Sequence, residues 1–232
     1  MAAAPHPAPL APAELKSTVE AGYDAIAPIY LAWSAPRPTT TRAGYVAQLL
    51  SLLSPGASVL ELGCGAGVPT TQTIAAHEKR LRVTGVDISA AQVALAREHV
   101  QAPKGDGDEG RIAFVHADMA KLEYAEGSFD AVLAFYSIFH LPREEQAPMV
   151  GQMAGWLRPG GYLLLNMQTE EGEFMREDWM GARMFSSGIG VDANRRAFAE
   201  HGKGLKILAD EIATEKVGPF EEKFHWVFAV KE

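Results

Sequence analysis

Cysteine is almost absent from this chain of 232 residues, which contains only Cys64. A single thiol excludes internal disulfide bonds and zinc sites built from pairs of cysteines, and we expect no metal site. Long apolar runs are lacking too. The longest, residues 131–139, falls well short of the roughly 20 residues that a membrane-spanning helix requires, so we expect no membrane span. One unpaired thiol without an export signal favours a cytoplasmic location.

Positive charge is also scarce. Lys and Arg total 21 against 29 Asp and Glu, so the formal net charge is −8. Proteins that bind phosphate backbones carry clustered Lys and Arg, so this charge disfavours nucleic acid as a partner. With 47% hydrophobic and 22% charged residues, the composition is that of a globular protein of about one domain. The sequence leaves the oligomeric state undetermined.

The first residues differ in composition from the rest. Residues 1–14 are rich in Ala and Pro, contain no Lys or Arg, and lack the apolar core of a signal peptide, so we expect a disordered tail. Residues 15–232 are expected to form a single domain. It opens with two helices, 15–29 and 42–53, whose apolar residues recur every three or four positions.

Beyond these helices, short apolar runs alternate with helical segments. Such alternation is typical of a doubly wound α/β fold with a mostly parallel sheet. The runs at 205–216 and 223–231 predict an antiparallel hairpin at the edge of that sheet. Residues 169–191 break the rhythm, and this long irregular segment is expected to be a substrate cap. The predicted parallel strands are 58–62, 82–86, 112–116, 131–136 and 162–167, and the predicted helices are 70–78, 90–100 and 149–157.

A glycine-rich turn follows the first predicted strand. The segment VLELGCGAGVPT, residues 59–70, carries Glu61 and then Gly63, Gly65 and Gly67 before a helix. Glycines at a strand-to-helix turn allow positive φ angles and close approach of the backbone to a ligand. In doubly wound folds, ligands bind in the crevice at this end of the strands.

The spacing E-x-G-x-G-x-G resembles motif I of the class I S-adenosylmethionine-dependent methyltransferases. A dinucleotide-binding loop would carry a third glycine where this chain has Val68, followed by Pro69. The resemblance implies a Rossmann-like seven-stranded sheet, a lid formed by residues 15–54, and S-adenosylmethionine as cofactor, with S-adenosylhomocysteine as product. It places Glu61 near the methionine amino group, where a carboxylate suits a cation.

Further motifs of that family follow in order. The resemblance implies that Asp87, in GVDIS, accepts the ribose hydroxyls, and that Asp118, in HADM, binds the adenine amine beside Met119. FDAVLAFYSIFHL, residues 129–141, resembles motif IV, and the nearest likeness is to the small-molecule branch that includes quinone-biosynthesis methyltransferases. The full set of expected cofactor-binding residues is Tyr23, Tyr30, Trp33, Glu61, Gly63, Cys64, Gly65, Gly67, Asp87, Ile88, Gln92, Asp118, Met119 and Phe135.

The resemblance implies in-line methyl transfer to an O, N, C or S atom of a small metabolite. His140 is a candidate general base, although a packing role before Pro142 remains open. Trp179, Met180, Met184 and Phe185 form a candidate lid over a largely apolar acceptor. The residues expected to bind this acceptor are Tyr136, His140, Trp179, Met184 and Phe185.

Two other functions stay open at this stage. One is an NAD(P)-dependent oxidoreductase, which Glu61, Val68 and Pro69 disfavour. The other is a non-catalytic protein of the same fold that acts as a binding or regulatory partner, because ligand binding and chemistry use different residues.

Overall fold

The computed structural model describes residues 10–35, 40–101, 110–217 and 220–232. Short 3-10 turns lie at Met119–Lys121 and Ile138–His140. The helices and strands are, in chain order, α1 Pro12–Ser34, α2 Thr40–Leu52, β1 Ser58–Leu62, α3 Thr70–Ala75, β2 Arg82–Asp87, α4 Ala90–His99, β3 Ile112–His116, β4 Phe129–Ala134, α5 Arg143–Trp156, β5 Leu157–Gln168, β6 Glu171–Trp179, β7 Ala182–Ile189, α6 Val191–His201, β8 Leu205–Val217 and β9 Phe220–Lys231.

A seven-stranded sheet in the order β3-β2-β1-β4-β5-β9-β8 organises the described residues. Strands β1 to β5 are parallel, whereas β9 runs antiparallel to β5 and pairs with β8 at the edge. The central strands are continuous apolar runs because helices cover both faces. Leu60 and Val59 on β1, for example, are both fully buried but belong to clusters on opposite faces. The predicted doubly wound fold with an antiparallel edge hairpin is therefore confirmed.

The order of the strands creates a crevice beside β1. The chain crosses from β1 to β2 on one side and later returns to β4 on the other side. Leu62 at the end of β1 pairs with Val86 of β2 and Ala134 of β4, so the carboxyl ends of the three strands are level. Ligands of open α/β sheets bind at such a switch point.

Helix α1 is longer than the sequence predicts. It begins at Pro12 rather than residue 15, and proline at the start of a helix leaves no backbone donor unpaired. It then continues through Pro28 to Ser34, because its buried face packs against β7. Residues 1–9 of the predicted tail lie outside the described residues. No helix among the described residues is both long and apolar enough to cross a membrane.

The segment expected to be irregular is ordered instead. Residues 171–189 form the hairpin β6-β7, a separate two-stranded sheet. Two strands alone are marginally stable in water, and here Met184 and Phe185 of β7 pack against Val19 and Ile26 of α1. The sequence pattern also misses α6 and places the start of α5 at residue 149 rather than at Arg143.

Candidate active site

The glycine-rich turn is held by backbone hydrogen bonds and close packing. The N–H groups of Gly63 and Cys64 both donate to the carbonyl oxygen of Val86, at 2.8 and 3.0 Å. Gly63 has a φ of +69°, and a Cβ atom placed on it would lie 2.2 Å from Cβ of Ser137. Ser137 cannot give way easily, because it is buried and its hydroxyl donates to the Leu62 carbonyl. Only glycine fits at position 63.

Asp87 joins this turn to the end of β2. Its carboxylate accepts hydrogen bonds from the N–H of Gly65 at 2.8 Å and from the N–H of Ser89 at 2.9 Å. Burial raises the pKa of Asp87 to about 6, although both hydrogen bonds favour the charged form. The carboxylate is thus prepared to accept further donors from a ligand.

Glu61 contributes a second buried carboxylate. Its side chain accepts a hydrogen bond from the Thr71 hydroxyl. Burial raises the pKa of Glu61 to about 7, against the opposing effects of Thr71 and the Arg42 guanidinium. A buried carboxylate of this kind favours a cationic ligand group and disfavours a pyrophosphate.

These groups line a cavity of about 90 Å³, which we call the donor cavity. Gln92 adds an unusual feature, because neither its amide nitrogen nor its oxygen has a hydrogen-bond partner among the described residues, although both are buried. Native proteins rarely leave such groups unpaired, so they point to a polar ligand. The residues that line the donor cavity are Val19, Tyr23, Tyr30, Ser34, Arg42, Glu61, Gly63, Cys64, Gly65, Ala66, Val68, Thr70, Asp87, Ile88, Gln92, Met119, Phe135, Tyr136, Ser137 and His140.

Three of the residues expected at this cavity do not line it: Trp33, Gly67 and Asp118. Trp33 lines a neighbouring cavity instead. A Cβ on Gly67 would lie 2.4 Å from a methyl group of Val100, so this glycine permits packing of the turn on α4. Asp118 faces Lys16 of α1 at 2.7 Å and accepts the N–H of Ala120. Its contact with adenine stays a prediction.

Polar contacts hold helix α1 against the donor cavity. Lys16 reaches both Asp118 and Glu145, the latter at 2.9 Å. Asp24 accepts a hydrogen bond of 2.6 Å from the Ser89 hydroxyl and another from Ala91 N–H at the start of α4. The helix therefore forms one wall of the donor cavity, and its role as a lid stays a prediction.

Cys64 has a structural position in the turn. It is buried, its thiol is directed to the Gly65 carbonyl, and burial raises its pKa. A thiol that resists ionisation is a poor nucleophile. Cys64 therefore lines the cavity and is not suited to act as a nucleophile.

His140 lies between the donor cavity and a neighbouring cavity. Its Nδ1 is 2.6 Å from the carbonyl oxygen of Phe185, and its Nε2 is 3.0 Å from the Tyr23 hydroxyl. A carbonyl only accepts, so the proton of the neutral ring resides on Nδ1, and Nε2 accepts from Tyr23. Burial lowers the pKa of His140 to about 4, despite the Phe185 carbonyl.

We expect His140 to remain a neutral Nδ1–H tautomer throughout the physiological pH range. In ¹⁵N-resolved spectra of the imidazole, its two nitrogens should show no titration between about pH 5.5 and 8, because the pKa is about 4. Tyr23→Phe removes the donor to Nε2 and should shift that resonance alone. Protonation of the ring near its ordinary pKa would contradict this assignment.

The neighbouring cavity, which we call the acceptor cavity, measures about 130 Å³. Trp179 and Met184 line it, whereas Phe185 lines neither cavity and is buried against α1 with Met180 beside it. Tyr23, Tyr30, Ser34, Arg42, Tyr136 and His140 line both cavities. The acceptor cavity is lined by these six and by Trp33, Phe139, Gln168, Arg176, Trp179, Met184, Ser186, Glu215, Lys216, Glu222 and Phe224.

Tyr136 lines both cavities and has an uncommon backbone conformation. Its φ is +53°, and its N–H donates to Asn166 at 2.6 Å. Its hydroxyl donates to Glu215 at 2.6 Å, and the Arg42 guanidinium lies 5.3 Å from the centre of its ring. Left-handed backbone at a bulky residue is rare and is found where the surroundings hold it for function.

Sequence reasoning missed Arg42 and Glu215. They belong to α2 and β8, more than 170 positions apart, and no local motif marks either residue. The only sequence signal was a glutamate in an edge strand, which is normally solvated. Glu215 is buried because β8 and β9 pack against α2, and the sequence pattern does not show this packing.

Comparison with known proteins agrees with this geometry. The sequence model of a family described as "Methyltransferase domain" matches residues 59–161. The 27-O-demethylrifamycin SV methyltransferase of Amycolatopsis mediterranei is 34% identical over 167 residues, which are 72% of this chain and 53% of that protein. An O-methyltransferase of Pyrenophora dematioidea is 32% identical over 110 residues, 47% of this chain and 39% of that protein. The chain therefore spans about half the length of these curated relatives or less.

Solved structures show the same fold. Magnesium protoporphyrin IX methyltransferase from Synechocystis, with bound S-adenosylmethionine, has a TM-score of 0.68 at 19% identity, covering 98% of this chain and 100% of that chain. The 1,6-didemethyltoxoflavin-N1-methyltransferase of Burkholderia thailandensis has a TM-score of 0.67 at 18% identity, covering 98% and 94%. At these identities the likeness establishes the fold alone.

Proposed function

We propose that the chain is a class I S-adenosylmethionine-dependent methyltransferase, which transfers a methyl group from S-adenosylmethionine to a small molecule. The match of residues 59–161 to the methyltransferase-domain family and the likeness to a curated methyltransferase support this proposal. One observation carries the proposal. The donor cavity combines two buried carboxylates, Glu61 and Asp87, with the unpartnered amide of Gln92. This donor set matches a ligand that offers an ammonium group at one end and hydroxyls at the other.

We propose that different residues of the donor cavity bind different groups of the cofactor. We assign Glu61 to the methionine amino group and Asp87 to the ribose hydroxyls, because each is a buried acceptor that lines the donor cavity. Gln92 lies beside Asp87 and offers both a donor and an acceptor. Ile88 and Met119 supply the apolar surface for the adenine ring.

When bound, the cofactor supplies a methyl carbon that is already activated by the positive sulfur, and the departing thioether is neutral. The protein therefore needs to align the acceptor and to exclude water. Helix α1 covers the site, and the aromatic rings of Tyr23 and Tyr30 face both cavities. Aromatic faces stabilise a nearby cation until its charge disperses.

Proton removal is assigned to the junction of the cavities. An acceptor that carries a proton on its nucleophilic atom can release it to the oxygen of Tyr23, whose own hydroxyl proton moves to Nε2 of His140. The resulting imidazolium keeps its Nδ1–H on the Phe185 carbonyl. His140 is neutral before the reaction, but a pKa of about 4 makes it a weak base. It therefore takes up the proton only once methyl transfer has made that proton acidic.

The test is ligand-dependent thermal unfolding. S-adenosylhomocysteine or S-adenosylmethionine at 100 times its Kd should add about 2.7 kcal/mol of stability. For a domain of this size we expect the Tm to rise by about 5–10 °C. NADH at the same concentration serves as the control and should cause no shift. Stabilisation by NADH alone would instead support an oxidoreductase, and no shift with any of the three would overturn the proposal.

A further inference from the structure

The acceptor cavity has the form of a slot between two aromatic walls. One wall consists of Tyr23, Tyr30, Trp33 and Trp179, whose neighbouring ring centres are 5.3–5.8 Å apart. The other wall consists of Tyr136, Phe139 and Phe224. The ring of His140 contacts both walls, through Tyr23 on one side and Phe139 on the other. Some of these rings are stacked on each other and others stand edge to face. A cavity lined in this way suits an aromatic ring system, which can stack on one ring and meet another edge to face.

A buried carboxylate lies in this slot away from the donor cavity. Glu215 lines the acceptor cavity and not the donor cavity, and the residue is only 5% exposed. Its Oε2 accepts the Tyr136 hydroxyl. Its Oε1 has no hydrogen-bond partner among the described residues. Burial raises the pKa of Glu215, against the opposing effects of Tyr136, Arg42, Trp226 and Thr41. A buried acceptor of this kind is costly unless a ligand donates to it.

The charges around the slot indicate what kind of donor fits. Arg42, Arg176 and Lys216 line the cavity together with Glu215 and Glu222, so positive side chains outnumber negative ones. This balance disfavours a cationic amine as the partner of Glu215. A neutral hydroxyl meets the requirement, because it donates to a carboxylate without adding positive charge.

We propose that the acceptor is a flat aromatic molecule with at least two hydroxyl groups, one methylated beside His140 and the other hydrogen-bonded to Oε1 of Glu215. The inference rests on the proposed function and assigns its substrate class. Glu215 is then a specificity-determining residue: it touches the acceptor at a distance from the reacting oxygen and selects molecules with a second donor. His140 and Tyr23 line both cavities, which places the reacting hydroxyl at their junction.

The experiment measures binding of naphthalene probes by isothermal titration calorimetry, with the protein saturated by S-adenosylhomocysteine. A dihydroxynaphthalene with its hydroxyls on different rings should bind about tenfold more tightly than naphthol or dimethoxynaphthalene, as expected for a hydrogen bond to a charged acceptor. Naphthylmethylamine should bind more weakly than the diol. Equal binding of diol and dimethoxy compound, or tighter binding of the amine, would overturn the proposal.

A matched pair of variants tests whether Glu215 causes the preference for the diol. Glu215→Gln should remove about tenfold of the affinity for the diol and leave that for naphthol unchanged. Glu211→Gln is the control, because Glu211 lies on the same strand and accepts the Tyr45 hydroxyl at the same 2.6 Å, but is exposed. It should bind the diol as the wild type does. If Glu215→Gln fails to fold, the comparison of probes with the wild type decides alone.

Binding of S-adenosylhomocysteine distinguishes a failure of the proposed function from a failure of the acceptor assignment. Both variants should bind S-adenosylhomocysteine as the wild type does, because neither glutamate lines the donor cavity. Failure of the wild type to bind S-adenosylhomocysteine would refute the proposed function. Normal binding of S-adenosylhomocysteine without preference for the diol would refute only the assignment of the acceptor.

Discussion

Replacing Glu61 with glutamine should weaken S-adenosylmethionine binding strongly at pH 8 and remove most of its pH dependence. The pKa of Glu61 in the free protein is about 7, so about a tenth of this side chain is charged at pH 6 and nine-tenths at pH 8. The affinity of the wild type should therefore rise about tenfold from this group over that range. Asp87, with a pKa of about 6, adds only about twofold.

In Glu61→Gln, the affinity for S-adenosylmethionine should rise only the twofold that Asp87 contributes between pH 6 and pH 8. At pH 8 this variant should bind S-adenosylmethionine about 10- to 100-fold more weakly than the wild type, the range expected for the loss of a charged hydrogen bond. The measurement is the Kd by calorimetry at several pH values. Glu78→Gln, an equal change of charge outside both cavities, is the control. A variant whose affinity still rises tenfold with pH would show that Glu61 does not face the cofactor's cation.

The same substitution should stabilise the free protein at pH 8. Because burial raises the folded pKa of Glu61 from 4.5 to about 7, the native state holds its proton more tightly than the unfolded state. The associated stability is fully present below pH 4.5 and is lost as the pH rises through 7, amounting to about 3 kcal/mol. Glutamine carries no such cost. Urea unfolding at pH 5 and pH 8 should thus show a gain in the free energy of unfolding at the higher pH only.

Gly63→Ala should be far more damaging than Gly56→Ala. Both glycines have similar φ values, +69° and +75°, so an alanine at either position pays the same conformational cost of about 1–2 kcal/mol. The surroundings differ, because a Cβ at position 63 would overlap Ser137 at 2.2 Å, whereas nothing lies within 4 Å of one at position 56. Overpacking adds about 1–3 kcal/mol at the first site.

We therefore expect a loss of about 2–5 kcal/mol in the free energy of unfolding for Gly63→Ala and of about 1–2 kcal/mol for Gly56→Ala, measured by urea unfolding. The first variant should also lose affinity for S-adenosylhomocysteine, because the displaced turn carries the Gly65 N–H that bonds to Asp87. Equal losses in the two variants would show that the turn can move away from Ser137.

Local sequence patterns predicted the structure correctly where the role of a residue depends on its neighbours in the chain. Apolar runs of strand length, interrupted by helical segments, gave the parallel sheet and its edge hairpin, because burial on both faces demands such runs. Ser89 is an instance at smaller scale: it precedes a helix, and its hydroxyl accepts the Gln92 N–H at 3.1 Å as an N-cap should. The glycine spacing likewise indicated a turn that approaches a ligand.

Local sequence patterns did not predict the elements whose structure depends on packing against distant parts of the chain. Helix α1 continues through Pro28, and residues 171–189 become a hairpin, because each element supplies the surface that the other buries. The charged face of β6 hides the alternation that would have marked it as a strand. Neither element has a local signal strong enough to reveal a partner more than 140 positions away.

From the sequence alone came the fold class and the glycine-rich turn, since strand ends and glycine turns are local features of the chain. The resemblance to a known family added Glu61 and Asp87, whose cofactor contacts stay predictions. Tertiary structure decided the acceptor side. It brought Arg42, Tyr136 and Glu215 together from three distant segments, and it fixed the tautomer of His140 through contacts from α1 and β7. The physical reason is that neighbouring residues determine a glycine-rich turn and the strand ends beside it, whereas a cavity between packed elements exists only once they have packed.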